Sequence, residues 1–165
     1  MERGGRTLFA LVIVGIASFG FSGQASSSEL SELRAMTVSE ASLVEAINRA
    51  RVTNGAPPLR VGPRLQRAAR AHSRAMMRTG SFTHGNWYQR LRRHGVRASF
   101  VGETIAWGVG ADGTASGIVA SWLASPPHRA TMLDRGFQRV GVGIAVGTMD
   151  GVAGVRVATA DFAGL

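Results

Sequence analysis

Three polar side chains stand where chemistry is most readily done: His84 in Ser81-Phe82-Thr83-His84-Gly85, Glu103 in VGETIAWG, and His128 directly behind Ser125-Pro126-Pro127. Each is expected at an element boundary rather than on a helix face. Two imidazoles and one carboxylate are suitable ligands for a divalent metal such as zinc that keeps an open coordination position. The same groups serve equally as a metal-free acid/base set, because histidine titrates near neutral pH and a carboxylate beside it fixes its orientation. Separations of 19 and 25 residues give no local geometry that brings them together. The fold has to do so.

The elements that would position them are marked by caps and breakers. Thr37-Val38-Ser39-Glu40 has the pattern of a capping box, and Leu43, Ala46, Ile47 and Ala50 then recur at helical spacing until Asn54-Gly55. Pro63 is placed as the first residue of a second helix, RLQRAARAHSRAMMRTG, with Leu65, Ala69, His72 and Met76 on one face and Gly80 as its stop. NWYQRLRRHG reads as a short helix ending at Gly95. Asp112 or Thr114 can cap another, through Ile118, Val119 and Trp122, which Pro126 ends. From Arg139 the period changes to strand alternation around an Asp-Gly turn signal, VGVGIAVG-TMDG-VAGVRVATADF, predicting an antiparallel hairpin. Helices first and a hairpin last, without a βαβ rhythm, give a mixed α+β class.

Composition sets the compartment. Arg3 and Arg6, an apolar run TLFALVIVGIASFGF of roughly 15 residues, and small residues around Gly23-Gln24-Ala25 form a secretory signal over residues 1–25, with an uncleaved N-terminal anchor as the alternative. The run is short for a membrane span, so no stable span is expected after cleavage. Residues 26–36 read as a loose lead-in and 37–165 as one domain, expected to be a monomer, secreted or held in the periplasm or envelope. The chain has no cysteine, which excludes thiolate zinc sites, cysteine nucleophiles and a lipid-modified cysteine, and leaves stability to packing. The formal charge is +9 and all 19 basic residues are arginine. They are spread along the chain apart from Arg90, Arg92 and Arg93, no nucleic-acid signature accompanies them, and codon bias toward arginine plus solubility explains them more simply than attraction to anionic polymers, lipids or nucleic acid.

The remaining polar and aromatic residues have structural explanations. His72 lies on the apolar face of the second helix and His94 suits a helix C-terminus. Ser125, three residues before His128, lacks an oxyanion element and fits a turn cap better than a nucleophile. Trp107 and Trp122 read as core, whereas Trp87 and Tyr88 have some claim to line a cleft. GVGIAVG lies in a strand pattern with no helix behind it, so its glycines read as sites of close packing or a bulge, not a phosphate loop.

The ordered set LVEAINRARVTNGAPPLRVGPRLQRAARAHSRAMMRTGSFTH, VGETIAWG, ASWLASPPHRATML, FQRVGVGIAVG and the closing DF resembles the CAP superfamily. This is the SCP-like domain of cysteine-rich secretory proteins, antigen 5 and pathogenesis-related proteins, here in its shorter bacterial form. The resemblance spans residues 41–162. It implies a three-layer α-β-α sandwich with a small antiparallel sheet and a surface cleft at His84, Glu103 and His128. The two histidines would be direct metal ligands and the glutamate a water-mediated or acid/base neighbour. Two departures stand out: no second glutamate follows Trp122, and Thr104 occupies the place where the common pattern has Asn. The readings that follow are an exported cleft protein for a small ligand or envelope component with a divalent metal, a hydrolase of peptide or cell-wall bonds using Glu103, His84 and His128, or a basic module for anionic polymers or lipids.

Overall fold

The computed structural model describes residues 37–164; the expected signal and lead-in, 1–36, lie outside the described residues. Helix α1, Val38–Thr53, opens with the capping box: the Thr37 hydroxyl accepts from the Glu40 amide at 3.2 Å, and the Glu40 carboxylate accepts from the Thr37 amide at 3.0 Å. A two-residue strand β1, Arg60–Val61, precedes α2, Pro63–Thr79, which starts on its proline and ends at Gly80. Asn86 caps the short α3, Trp87–Arg93. Strand β2, Val101–Gly108, leads to α4, Ala115–Ala124, whose cap is Thr114 rather than Asp112. Helix α5, Pro126–Leu133, and the long hairpin β3, Arg139–Met149, and β4, Val152–Ala163, complete the chain.

The sheet runs β1-β3-β4-β2. The hairpin turns at Asp150-Gly151, both at positive φ, and a register shift falls between Gly147 and Met149. β2 pairs antiparallel with β4, but β1 runs parallel to β3, so the sheet is mixed and not purely antiparallel. Its two faces differ in character. Ala106, Val140, Val142, Ala158, Ala160 and Phe162 face α1, α4 and α5, forming an apolar core with Leu43, Ile47, Ile118 and Trp122. Trp122 is fully buried, and its indole N–H reaches the Ile105 carbonyl at 3.0 Å, so this core residue has its one polar group satisfied.

The opposite face carries α2 and α3. A Cβ at Gly141 would lie 2.1 Å from the Gln66 backbone nitrogen, and one at Gly143 would lie 2.4 Å from the Ala69 carbonyl carbon. These glycines let α2 lie directly on β3, as the sequence pattern anticipates. This face mixes apolar Ile105, Val155 and Val157 with polar Glu103, Thr159 and Asp161, all buried. The three-layer α-β-α architecture expected from the resemblance is therefore present. Trp107 departs from its reading as core: it is 50% exposed, because it lies near the end of β2, an outer strand of the sheet.

Candidate functional site

Glu103 sits inside strand β2, opposite Asp161 of β4 in the register, and both side chains are buried. It is therefore mid-strand and not at an element boundary. Arg90, projecting from α3, binds the Glu103 Oε2 with one guanidinium nitrogen, and the same nitrogen lies 3.4 Å from Asp161 Oδ1. Its other terminal nitrogen donates to the His84 carbonyl at 3.3 Å, tying the 80–86 loop to the sheet. His84 places Nδ1 2.7 Å from Glu103 Oε1 and leaves its side chain 44% exposed. From α2, His72 brings Nε2 to 3.9 Å of Glu103 Oε2; this nitrogen is buried and has no hydrogen bond of its own.

His128 arrives from the other helical layer. Pro126 and Pro127 do not merely end α4; they begin α5, and His128 stands in its first turn. Proline favours this position because the first amides of a helix lack intrahelical partners in any case. The His84 and His128 rings lie 6.2 Å apart between centroids, tilted by 36°. All three sequence-selected residues thus fall in one neighbourhood, where the two helical layers meet beyond the outer strand β2. Arg129, next to His128, anchors this corner by donating to Asn54, the cap residue at the end of α1, at 2.8 Å.

The electrostatics follow from burial and from Arg90. Burial pushes the Glu103 carboxyl up to about 7, against the pull of the Arg90 charge and of hydrogen bonds from Asp161 and Arg90. Asp161 is raised well above its ordinary value by burial first and by the Glu103 charge second. Two carboxyls facing one guanidinium reach charge balance when they share a proton, with Asp161 as the better holder. His72 is lowered to about 4, by burial and then by the charges of Arg90 and His84, against a hydrogen bond to the Thr83 backbone. His84 is lowered by burial and Arg90, and His128 by burial and His84. Neutral imidazoles are the form that binds a metal.

The donor chemistry fits a cation held by two protein ligands. A carboxylate on Nδ1 of His84 fixes the ring and leaves Nε2 uncommitted, the arrangement that commonly supports a metal-bound histidine. Two imidazoles each about 2.1 Å from one tetrahedral ion would have centroids roughly 5.3 Å apart, so the rings, 6.2 Å apart here, would have to close by about 1 Å to share it. Among the described residues no group of three or more His, Asp or Glu is arranged to hold a metal, so the remaining positions would fall to solvent or ligand.

Sequence reading missed Arg90, Asp161 and the place of His72. Arg90 was visible only as one of several neighbouring arginines. The available signal for Asp161 was an acid on an otherwise small and apolar strand, ATADFA. His72 is buried, as expected, but it faces the carboxylate. Thr104, in place of the amide of the common pattern, is fully buried and its hydroxyl has no hydrogen-bond partner. Tyr88 is exposed, whereas Trp87 packs against the cluster of Leu65, Leu91 and Val96.

An α-β-α sandwich with a histidine–glutamate cluster beside its outer strand defines the class. The model of the cysteine-rich secretory protein (CAP) family matches residues 44–162, and the chain belongs to that family. It is 31% identical over 109 residues to the uncharacterized Bacillus subtilis protein YkwD, covering 63% of this chain and 41% of YkwD. The chain thus spans less than half of that relative. An extracellular SCP-domain protein from Bacillus anthracis superposes with a TM-score of 0.60 at 26% identity, over 74% of this chain and 39% of that one. An outer surface protein from Borrelia burgdorferi superposes with a TM-score of 0.60 at 16% identity, over 86% and 96% of the two chains, which establishes fold alone. Among the described residues no helix is long and apolar enough to cross a membrane.

Proposed function

We propose that this is an exported CAP-domain protein whose cleft at His84, Glu103 and His128 binds a small ligand together with a divalent cation such as zinc. The observation that carries the reading is the Glu103–His84 bond at 2.7 Å, which orients one imidazole beside a second from the opposite helical layer. His84 and His128 would hold the cation, and Glu103 would orient His84 from behind. When bound, the cation would supply Lewis acidity toward an oxygen of the ligand. Arg90 holds Glu103 in place and keeps the His84 loop against the sheet. Export is supported by the N-terminal signal pattern and by similarity to a Bacillus anthracis protein described as extracellular.

Zinc calorimetry on the purified chain and on a His84→Ala/His128→Ala variant tests the reading. The parent should give a saturable isotherm and the variant none; equal heats would remove the metal. A hydrolytic reading draws on one observation, the Glu103 carboxyl raised to about 7, where a general acid/base works best. Cleavage of casein or peptidoglycan that disappears in Glu103→Gln would place it first.

A further inference from the structure

A cavity of about 570 Å³ opens at the start of α2, between the 95–99 loop, the beginning of β3 and the end of β4. It shares no residue with the His84 cluster. Its inner wall is apolar, from Leu65, Val96, Ala98 and Ala163, the first, second and last of which belong to the buried cluster beneath α3. Its polar lining is dominated by Arg64, Arg97 and Arg139. A further arginine, Arg60, is the register partner of Arg139 in the β1–β3 pair but lies outside the lining.

The arginines of this opening are exposed, and no acidic residue lines it to pair with them. The half-buried Arg70 and Arg90, by contrast, meet acids: Glu40 in the first case, Glu103 and Asp161 in the second. Among the described residues, none of Arg60, Arg64, Arg97 and Arg139 forms an ion pair; Arg64 donates to the Gly95 carbonyl at 3.0 Å. Arg64, Arg97 and Arg139 set like charges around one apolar opening, and an anion placed among them neutralises that charge while an apolar body covers the wall. The volume lies within the range of small-molecule sites, about 300 to 1,000 Å³.

We infer that this cavity is a second binding site, for a small amphipathic anion that sets one acidic head among Arg64, Arg97 and Arg139 and an apolar body on Leu65, Val96 and Ala163. Guanidinium favours a planar two-oxygen head, so carboxylate and phosphate are the fitting chemistries. The site is independent of any metal at His84 and His128.

The test is an amide-resolved NMR titration of the purified chain at low ionic strength with decanoate, inorganic phosphate and decyltrimethylammonium. Decanoate should shift the amides of Leu65, Val96, Ala98 and Ala163 saturably. The exposed substitutions Arg97→Glu and Arg139→Glu together should weaken it at least tenfold, and Ser99→Trp should do the same by obstructing the mouth without a change of charge. His84→Ala/His128→Ala should leave decanoate binding unchanged, so that failure of the metal reading and failure of this one are separable. Saturation by phosphate as tight as by decanoate, equal binding of the cationic amphiphile, or no saturable shift of these amides would each overturn the proposal.

Discussion

Two arginines hold the two sides of the sheet, and they do so in opposite ways. Arg51, on the last turn of α1, is fully buried and donates to four backbone carbonyls: Pro57 at 2.8 Å, Met132 at 2.7 Å, Asp134 at 3.0 Å and Phe137 at 3.4 Å. Arg90, on the other side, donates to two carboxyls and one carbonyl. Carbonyl dipoles do not titrate, so the Arg51 arrangement is indifferent to pH and serves to fasten α1, the end of α5 and the following loop. The Arg90 arrangement contains groups that exchange protons near neutrality and touches an exposed imidazole. A buried guanidinium is thus a pH-indifferent fastener where its partners are peptide groups and a pH-dependent one where they are acids.

The largest expected effect lies on the fastener. Arg51→Met removes the donors of four carbonyls, at least two of them buried, and each buried acceptor left unpaired costs about 1 to 3 kcal/mol. The summed loss should be about 4 kcal/mol in urea unfolding at neutral pH, and Arg51→Lys, with fewer and less divergent donors, should recover only about half of it. A loss below about 1 kcal/mol for the methionine variant would show that water or rearranged backbone replaces the guanidinium. Because Arg51 binds the C-terminal end of the helix that carries His128, zinc affinity should fall with stability here, without any contact to the site.

Arg90→Met should be smaller and, unlike Arg51→Met, dependent on pH. A carboxyl whose pKa in the fold lies above its unfolded value retains its proton longer when folded. Its contribution is then full below the unfolded value and is lost as pH rises through the folded one. For Glu103 that window runs from 4.5 to about 7. Without Arg90 the folded value moves further up, so parent and variant should differ little near pH 5 and by about 3 kcal/mol near pH 8, the usual scale for uncovering a buried charge. His72 works in the other direction, being lowered in the fold to about 4, so that its contribution is lost as pH falls from 6.5 toward 4. That slope should persist in the variant, slightly reduced, because Arg90 is the second cause of the His72 shift. A difference between parent and variant that stays constant from pH 5 to pH 8 would mean that Arg90 is a packing residue.

The contrast also explains what could be read from the sequence. Arg51 and Arg90 are equally ordinary in the text; their partners lie up to 86 and 71 positions away. Local chemistry was legible: the Thr37–Glu40 box, the Pro63 start, the Gly80 stop and the Asp150-Gly151 turn are each settled within a few residues. His84, Glu103 and His128 could be named through the motifs that carry the family resemblance, not through spacing. What needed the fold was non-local: the parallel pairing of two-residue β1 with β3, the position of β2 at the sheet's edge that exposes Trp107, and the register that sets Asp161 opposite Glu103. Pro126-Pro127 was ambiguous even locally, since proline ends one helix and begins the next by the same geometry, and one residue, Ser125, bounds both.

The smallest effect sharpens the comparison most. Arg129 joins the same two helices as Arg51, α5 to the end of α1, but through an exposed 2.8 Å bond to the Asn54 side chain. Solvent competes for both partners there, so Arg129→Ala should change unfolding stability by less than about 0.5 kcal/mol, within the range of ordinary surface substitutions. Zinc affinity should respond weakly, because the helix turn bearing His128 is held from its far end by Arg51. If Arg129→Ala weakened zinc binding tenfold while leaving stability unchanged, the position of His128 would depend on this surface bond. The fixed corner would then be built by Arg129 and Asn54 and not by the buried guanidinium.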